Sequence, residues 1–121
     1  MNREAELYIK DILDNMENAE KFIGDMTFEE FSADIKTAYA VSRCIEIIGE
    51  ASKNIPAVVR RQYPAIPWKK MAGMRDKVIH FYFGVNYRRV WLVVKHDIPK
   101  IKPLLSNVFK ELQKKDNKKI Y

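Results

Sequence analysis

The sequence contains few of the residues that stabilise small proteins by covalent links or sharp turns. Its single cysteine, Cys44, cannot form a disulfide within the chain. Four glycines and five prolines are few turn residues for 121 positions, which favours a few long helices over many short strands. Arg43 precedes Cys44, but successive helical residues point about 100° apart. Cys44 is therefore predicted to be a buried small hydrophobic residue and not a catalytic thiol.

Long apolar runs and cofactor motifs are missing as well. No run approaches the roughly 20 apolar residues of a transmembrane helix, and the charged residues 1–6 do not resemble a signal peptide. We therefore expect a cytoplasmic protein without a membrane partner. The sequence has no Gly-rich phosphate loop, no cluster of metal ligands and no internal repeat. It predicts neither a metal site nor a cofactor.

What the chain does have is an apolar fraction of 47%, enough for one domain with a hydrophobic core. Its charge is unevenly distributed. Residues 1–50 hold 5 Lys or Arg and 12 Asp or Glu, whereas residues 51–121 hold 17 and 4. Either one region is suited to phosphates or acidic partners, or the two halves fold together and partly neutralise each other.

Apolar residues spaced three and four apart predict the first helices. One helix is expected from about residue 4 to Ile23, ended by Gly24. Thr27 and Glu30 have the spacing of a capping box that begins a second helical segment. A longer helix follows to about residue 54 and ends before Pro56.

The second half of the chain predicts further helices. Residues 56–67 form a connector with one helical turn at 58–61, and Pro67 begins a helix that continues to about Phe83. Asn86 caps the last helix, which Pro99 and Pro103 must kink or divide. Trp68 and Trp91 are predicted core anchors, and the best strand candidate, 90–94, lies within a helical pattern.

Together these patterns predict an all-α protein. We expect an antiparallel four-helix bundle with short extra helical segments, because the connections are short. Residues 1–113 would form the single domain and residues 114–121 a basic, flexible C-terminal tail.

The segment 75–83 concentrates the side chains best suited to phosphodiester chemistry. Arg75 can hold a phosphate through two parallel hydrogen bonds, and the imidazole of His80 can transfer protons near neutral pH. Tyr82 adds a hydroxyl group within an aromatic cluster on which bases could stack. The alternative is a purely structural role, with His80 as a surface or capping residue and Arg75 as an ordinary ion-pair partner. His96 has no comparable neighbours and is predicted to be a surface residue.

Helical spacing tests whether these groups could meet. On one regular helix Arg75 and Tyr82 lie within about 20° of each other, whereas His80 lies about 140° from Arg75. A second copy of the chain could complete such a site, so the spacing favours a dimer. Asp76, four residues before His80, could orient its imidazole. Glu46 and Glu50, one turn apart on the earlier long helix, could each pair with Arg75.

Several blocks of the sequence resemble the HepT-like branch of the HEPN superfamily. Residues 75–82 match its R-x-x-x-x-H-x-Y motif, and similarity continues in residues 45–51, 66–76 and 85–91. The resemblance implies a dimeric all-α bundle whose two motifs face a shared cleft, with metal-independent endoribonuclease activity. His80 would activate the ribose 2′-hydroxyl or protonate the leaving oxygen, and Arg75 would hold the scissile phosphate. A 2′,3′-cyclic phosphate product and an RNA substrate follow.

The same resemblance implies a partner and a regulatory modification. The chain would be the toxin of a type II toxin–antitoxin pair, with a minimal nucleotidyltransferase of the MntA type as antitoxin. The partner would transfer AMP from ATP to Tyr82 and so silence the enzyme, and the homodimer could join a larger hetero-oligomer with it. The alternative from another class is a non-catalytic HEPN-type module that binds nucleotides or partners. A third interpretation, a helical scaffold whose basic half attracts RNA, leaves the Arg–His–Tyr grouping unexplained.

Overall fold

The computed structural model describes the backbone of residues 2–80 and 84–120, and the side chains of these residues except 2, 77, 79, 80 and 116–120. The described chain is mostly helical. Its elements are α1 (Asn2–Ile23), α2 (Phe28–Ser32), α3 (Ile35–Lys53), α4 (Ala57–Gln62), α5 (Trp68–Ala72), α6 (Met74–Val78), β1 (Ile79–His80), β2 (Gly84–Val85), α7 (Tyr87–Leu92), a π-helical segment (Val93–Asp97) and α8 (Ile98–Ile120). No helix in the described ranges is both long and apolar enough to cross a membrane.

Three long helices, α1, α3 and α8, form the scaffold. Helix α1 packs against both α3 and α8, and its buried face consists of residues spaced three and four apart. The members of that face are Ala5, Ile9, Ile12, Met16, Ala19 and Ile23. The predicted first helix is thereby confirmed, and Gly24 ends it with a φ of 53°.

The predicted helix starts in the first half are also confirmed. The Thr27 hydroxyl accepts from the Glu30 N–H at 3.1 Å, and the Glu30 carboxylate accepts from the Thr27 N–H at 2.9 Å. This reciprocal pair is a capping box. Asp34 caps α3 by accepting from the Thr37 N–H at 2.9 Å, which lowers the pKa of the Asp34 carboxyl. Helix α3 then continues to Lys53, close to the predicted end.

The helix predicted from residue 67 to 83 is confirmed at its start, where Pro67 precedes α5, but it is interrupted at Gly73 and is wrong at residues 79 and 80. Two five-residue helices, α5 and α6, flank Gly73, and the helix ends at Val78. Strands β1 and β2 then pair antiparallel, with Ile79 opposite Val85 and His80 opposite Gly84. β-branched residues fit this extended pairing better than a helix. Gly84, predicted as a helix stop, instead begins the second strand with a φ of 77°.

The two prolines predicted that the last helical region is kinked or divided, and the structure shows one interruption, a π-helical segment before Pro99. Asn86 caps α7 by accepting from the Arg89 N–H at 3.1 Å. A π-helical turn follows, in which the Ile98 N–H donates to the Val93 carbonyl five residues earlier. Pro99 lies just after this turn, whereas Pro103 lies inside α8 without ending it. Helix α8 also continues past residue 113 to Ile120, so the backbone of 114–120 is helical, while the domain boundary and the flexible tail stay predictions.

The core confirms one of the two predicted tryptophan anchors. Trp68 is buried, and its indole N–H donates to the Tyr63 carbonyl at 3.0 Å. Trp91 is only partly buried, with its ring 5.6 Å from that of Phe28 and 5.7 Å from that of Phe31. Cys44 is buried as predicted, and this burial raises the pKa of its thiol. Cys44 is therefore a packing residue and not a nucleophile.

Candidate active site

Arg75 lies in the first turn of α6 with about half of its side chain exposed. Its Nε lies 3.9 Å from Oε2 of Glu46 on α3, and its Nη1 lies 3.9 Å from Oδ1 of Asp76. Both separations are too long for hydrogen bonds. The two carboxylates attract the guanidinium, and among the described side chains no hydrogen bond occupies the Arg75 N–H donors, which suit a ligand such as a phosphate.

Glu46 is contacted by a second arginine that our sequence analysis did not assign to the site. Nη1 of Arg43, one turn earlier on α3, lies 3.5 Å from the same Oε2 atom. Their spacing of three residues is typical of a helical ion pair and could have identified the contact. Of the two glutamates proposed as partners of Arg75, the structure selects Glu46. Within the described side chains, Glu50 forms no ion pair with Arg75.

The close approach of α6 to α3 depends on Gly49. A Cβ atom at this position would lie 3.4 Å from the Ala72 carbonyl oxygen and 3.8 Å from the Arg75 Cβ. A larger side chain would therefore push α5 and α6 away from α3. Gly49 lies in a block that resembles the family, but its role as a spacer becomes visible only in the structure.

The hairpin of β1 and β2 brings His80 to the same region. Glu46 lines a pocket of about 280 Å³ together with Tyr39, Ser42, Gly84 and Val85. Gly84 is the strand partner of His80, so the carboxylate that faces Arg75 also borders the hairpin that carries the histidine. The side chain of His80 and the whole of Tyr82 lie outside the described residues.

The end of α6 at Val78 changes the geometry that we predicted for the motif. The predicted angle between Arg75 and His80 does not apply, because His80 lies in β1 and not in α6; the predicted shared face of Arg75 and Tyr82 falls outside the described residues. Asp76 likewise does not lie one helical turn from His80 on a continuous helix. Asp76 is strongly exposed, and its described contact is with Arg75.

The remaining candidate groups lie elsewhere. His96 is a surface residue as predicted, but it does have neighbours: its Nδ1 lies 3.3 Å from Oδ1 of Asp97, and its Nε2 lies 3.1 Å from Nζ of Lys100. In the part of the chain that the structure describes, no three His, Cys, Asp or Glu residues form a group that could hold a metal ion.

Comparison with known proteins connects this arrangement to one family. Residues 12–108 match the family model described as "Ribonuclease HepT-like". The chain is 47% identical over 113 residues to "Putative RNase MJ0125" of Methanocaldococcus jannaschii, covering 93% of this chain and 97% of that protein. It is 52% identical over 102 residues to "Probable ribonuclease HepT" of Thermococcus cleftensis, covering 84% and 93%. No solved structure gives a significant match.

Proposed function

The chain belongs to the HepT-like ribonuclease family, and we propose that it is a metal-independent endoribonuclease whose catalytic residues are Arg75 and His80. One observation carries this proposal. Glu46 lies 3.9 Å from Arg75 and also borders the hairpin that carries His80, so the guanidinium and the strand of the proposed proton-transfer residue lie beside the same carboxylate. The names of the relatives cited above support RNA as the substrate.

The proposed reaction is an attack of the ribose 2′-hydroxyl on the adjacent phosphate. The bond between the 2′-oxygen and phosphorus forms, and the bond to the 5′-oxygen of the next nucleotide breaks. His80 accepts the 2′-hydroxyl proton or protonates the leaving 5′-oxygen, and the second proton transfer involves solvent or the second motif of a dimer. Arg75 stabilises the negative charge that develops on the phosphate oxygens. The products are a 2′,3′-cyclic phosphate and a 5′-hydroxyl end.

His80→Ala tests the proton-transfer role, and the chain supplies a matched control because its only other histidine is His96. His80→Ala should abolish RNA cleavage while the circular dichroism spectrum stays that of the parent, and His96→Ala should still cleave. Equal cleavage by His80→Ala and the parent would remove His80 from the mechanism.

We further propose that the chain is the toxin of a type II toxin–antitoxin pair, silenced by an MntA-type nucleotidyltransferase that attaches AMP to Tyr82. Tyr82 follows His80 by two residues, in the segment between β1 and β2. Nucleotides on this tyrosine would place phosphates next to the catalytic groups, where they would compete with RNA for Arg75.

Mass spectrometry tests this modification directly. Incubation with such a nucleotidyltransferase and ATP should add AMP-sized increments to Tyr82. Tyr82→Phe should prevent the modification, whereas Tyr39→Phe, at an exposed tyrosine on α3, should not. Modification of Tyr82→Phe to the parent extent would disprove the proposed switch.

A homodimer, with or without antitoxin in a larger assembly, completes the proposal. Ile35 and Tyr39 lie one turn apart on α3 and are 62% and 61% exposed, and Tyr39 lines the same pocket as Glu46. An apolar face beside the motif is suited to a second copy that would bring two motifs to one cleft. Sedimentation should detect a dimer at micromolar concentration, and a monomer alone would contradict the shared cleft.

The second candidate is a module that binds nucleotides or partners without turnover. The exposed, weakly held guanidinium of Arg75 suits phosphate binding with or without catalysis. Binding of RNA by a parent protein that releases no cleaved product would favour this function.

A further inference from the structure

A group of basic residues lies on α4 and α5, which precede Arg75 in the chain. The residues that follow α3 carry most of its charge: positions 57–78 hold six Lys or Arg and one Asp. Three of these cations surround a groove of about 520 Å³ between α4 and α5. We call it the basic groove, and it is lined by Ala57, Arg60, Arg61, Trp68, Lys69 and Ala72.

The three cations of the basic groove have no counter-charge among the described side chains. Among the described side chains, no carboxylate lies within ion-pair distance of Arg60, Arg61 or Lys69. The neighbouring Lys70 shows the contrast, because its Nζ lies 3.2 Å from Oδ1 of Asp97. Three exposed cations without counter-charges repel one another, and a bound polyanion would relieve this repulsion.

Helix α5 lines the basic groove, and α6, which follows it after Gly73, carries Arg75. Ala72 lines the groove, and its carbonyl oxygen and the Arg75 Cβ both lie within 3.8 Å of one point beside Gly49. The lining between the cations is apolar and includes an edge of the buried Trp68. Cations beside an apolar, partly aromatic surface are typical of proteins that bind single-stranded nucleic acid.

We infer that the basic groove binds the backbone phosphates of a single-stranded RNA next to the phosphate held by Arg75. This inference rests on the proposed function for its choice of RNA, but its site is separate from the catalytic residues. Arg60, Arg61 and Lys69 bind substrate and transfer no proton. The groove would direct the strand across Arg75 and raise affinity for RNAs longer than the two nucleotides at the cut.

The test measures binding without cleavage. The ligand is a single-stranded 2′-O-methyl RNA of about 20 nucleotides, in which the attacking hydroxyl is blocked. Its affinity is measured between 50 and 200 mM salt for the parent and for the triple variant Arg60→Gln, Arg61→Gln and Lys69→Gln. The control triple variant, Lys10→Gln, Lys21→Gln and Lys36→Gln, removes the same charge from exposed positions on α1 and the start of α3.

For a single strand, each lost phosphate contact reduces the slope of log affinity against log salt by about 0.7. The groove variant should therefore reduce this slope by about 2 and bind more weakly at low salt, while the control variant keeps the parent slope. Equal slopes for the two triple variants would overturn the inference and assign the groove cations to another partner. Because binding is measured without cleavage, a parent protein that fails to cut RNA would contradict the proposed function but would not change how the binding slopes are interpreted.

Discussion

The scaffold helices α1, α3 and α8 and the motif segment 73–86 differ in regularity. The scaffold consists of helices of about twenty residues with fully buried apolar faces. The motif segment contains one five-residue helix and a hairpin with two residues in each strand. Short elements contribute little stability of their own, so the scaffold must hold the motif in place. Substitutions in the scaffold should therefore change stability, and substitutions in the motif should change activity.

The largest expected effect is the loss of RNA cleavage when Arg75 in the motif segment is replaced. Arg75→Gln should lower cleavage by about 10²- to 10³-fold, because a neutral amide cannot stabilise the phosphate charge as a guanidinium does. Since Arg75 is exposed and makes no hydrogen bond within the described residues, the thermal midpoint should change little. Arg43→Gln is the matched control, because Arg43 contacts the same Glu46 oxygen. A similar loss of cleavage in both variants would contradict a specific role for Arg75.

A substitution in the scaffold core should lower the stability of the fold, which the Arg75 variant should leave almost unchanged. Ile45 is fully buried on α3, one residue before Glu46. Ile45→Ala should lower the free energy of unfolding by about 2–5 kcal/mol through lost burial and a cavity. Leu7→Ala, at an exposed position of α1, should change it by less than about 0.5 kcal/mol. Denaturant titration measures both, and equal stabilities would contradict the described core.

A bulky substitution at Gly49 should change both stability and activity, because this scaffold residue contacts the segment that carries Arg75. Gly49→Ala places its Cβ at an ordinary contact distance of 3.4 Å from the Ala72 oxygen and should be tolerated. Gly49→Val adds two methyl groups against α5 and α6 and should cost about 1–3 kcal/mol. Because the displaced helix carries Arg75, cleavage by the folded Val variant should also fall. Full activity of Gly49→Val would mean that the spacing of α3 and α6 is unimportant.

The smallest expected effect concerns the cap of α3. The Thr37 N–H holds the pKa of Asp34 below its ordinary value of 3.8. The ionised carboxylate therefore stabilises the fold above the unfolded-state pKa, and this contribution is lost as pH falls through the lower folded-state pKa. Asp34→Asn should lower the thermal midpoint slightly at pH 7, and the difference from the parent should shrink as pH falls below 3.8 and disappear below the lower folded-state pKa. A difference independent of pH would contradict this origin.

The scaffold could be predicted from the sequence because one period runs through each long helix and the caps have recognisable residues. The motif segment could not. Residues 78–83, Val-Ile-His-Phe-Tyr-Phe, are almost uninterruptedly apolar, and such a run does not distinguish a helix from a strand by its period. The hairpin conformation depends on the pairing of Ile79 with Val85 and on the hydrogen bond from the Asn86 N–H to the Val78 carbonyl. Both contacts join residues several positions apart in the sequence, and the local apolar period does not reveal them.

For the candidate site, the sequence could supply the residue types but not their distances. It proposed Glu46 and Glu50 equally, because both lie near one face of α3, and only the packing at Gly49 brings Glu46 to Arg75. The sequence shows the charges of Arg60, Arg61 and Lys69, but the groove that they line lies between two separate helices and is visible only in the structure.

The most direct test of the central claim is the cleavage of a defined single-stranded RNA by the purified parent protein in EDTA, with analysis of the new ends. We predict cleavage in the chelator, with 2′,3′-cyclic phosphate and 5′-hydroxyl ends, because the proposed reaction uses Arg75, His80, the ribose hydroxyl and solvent or a second motif, and no metal ion. Intact RNA, or cleavage that requires a divalent metal and leaves 5′-phosphate ends, would contradict it.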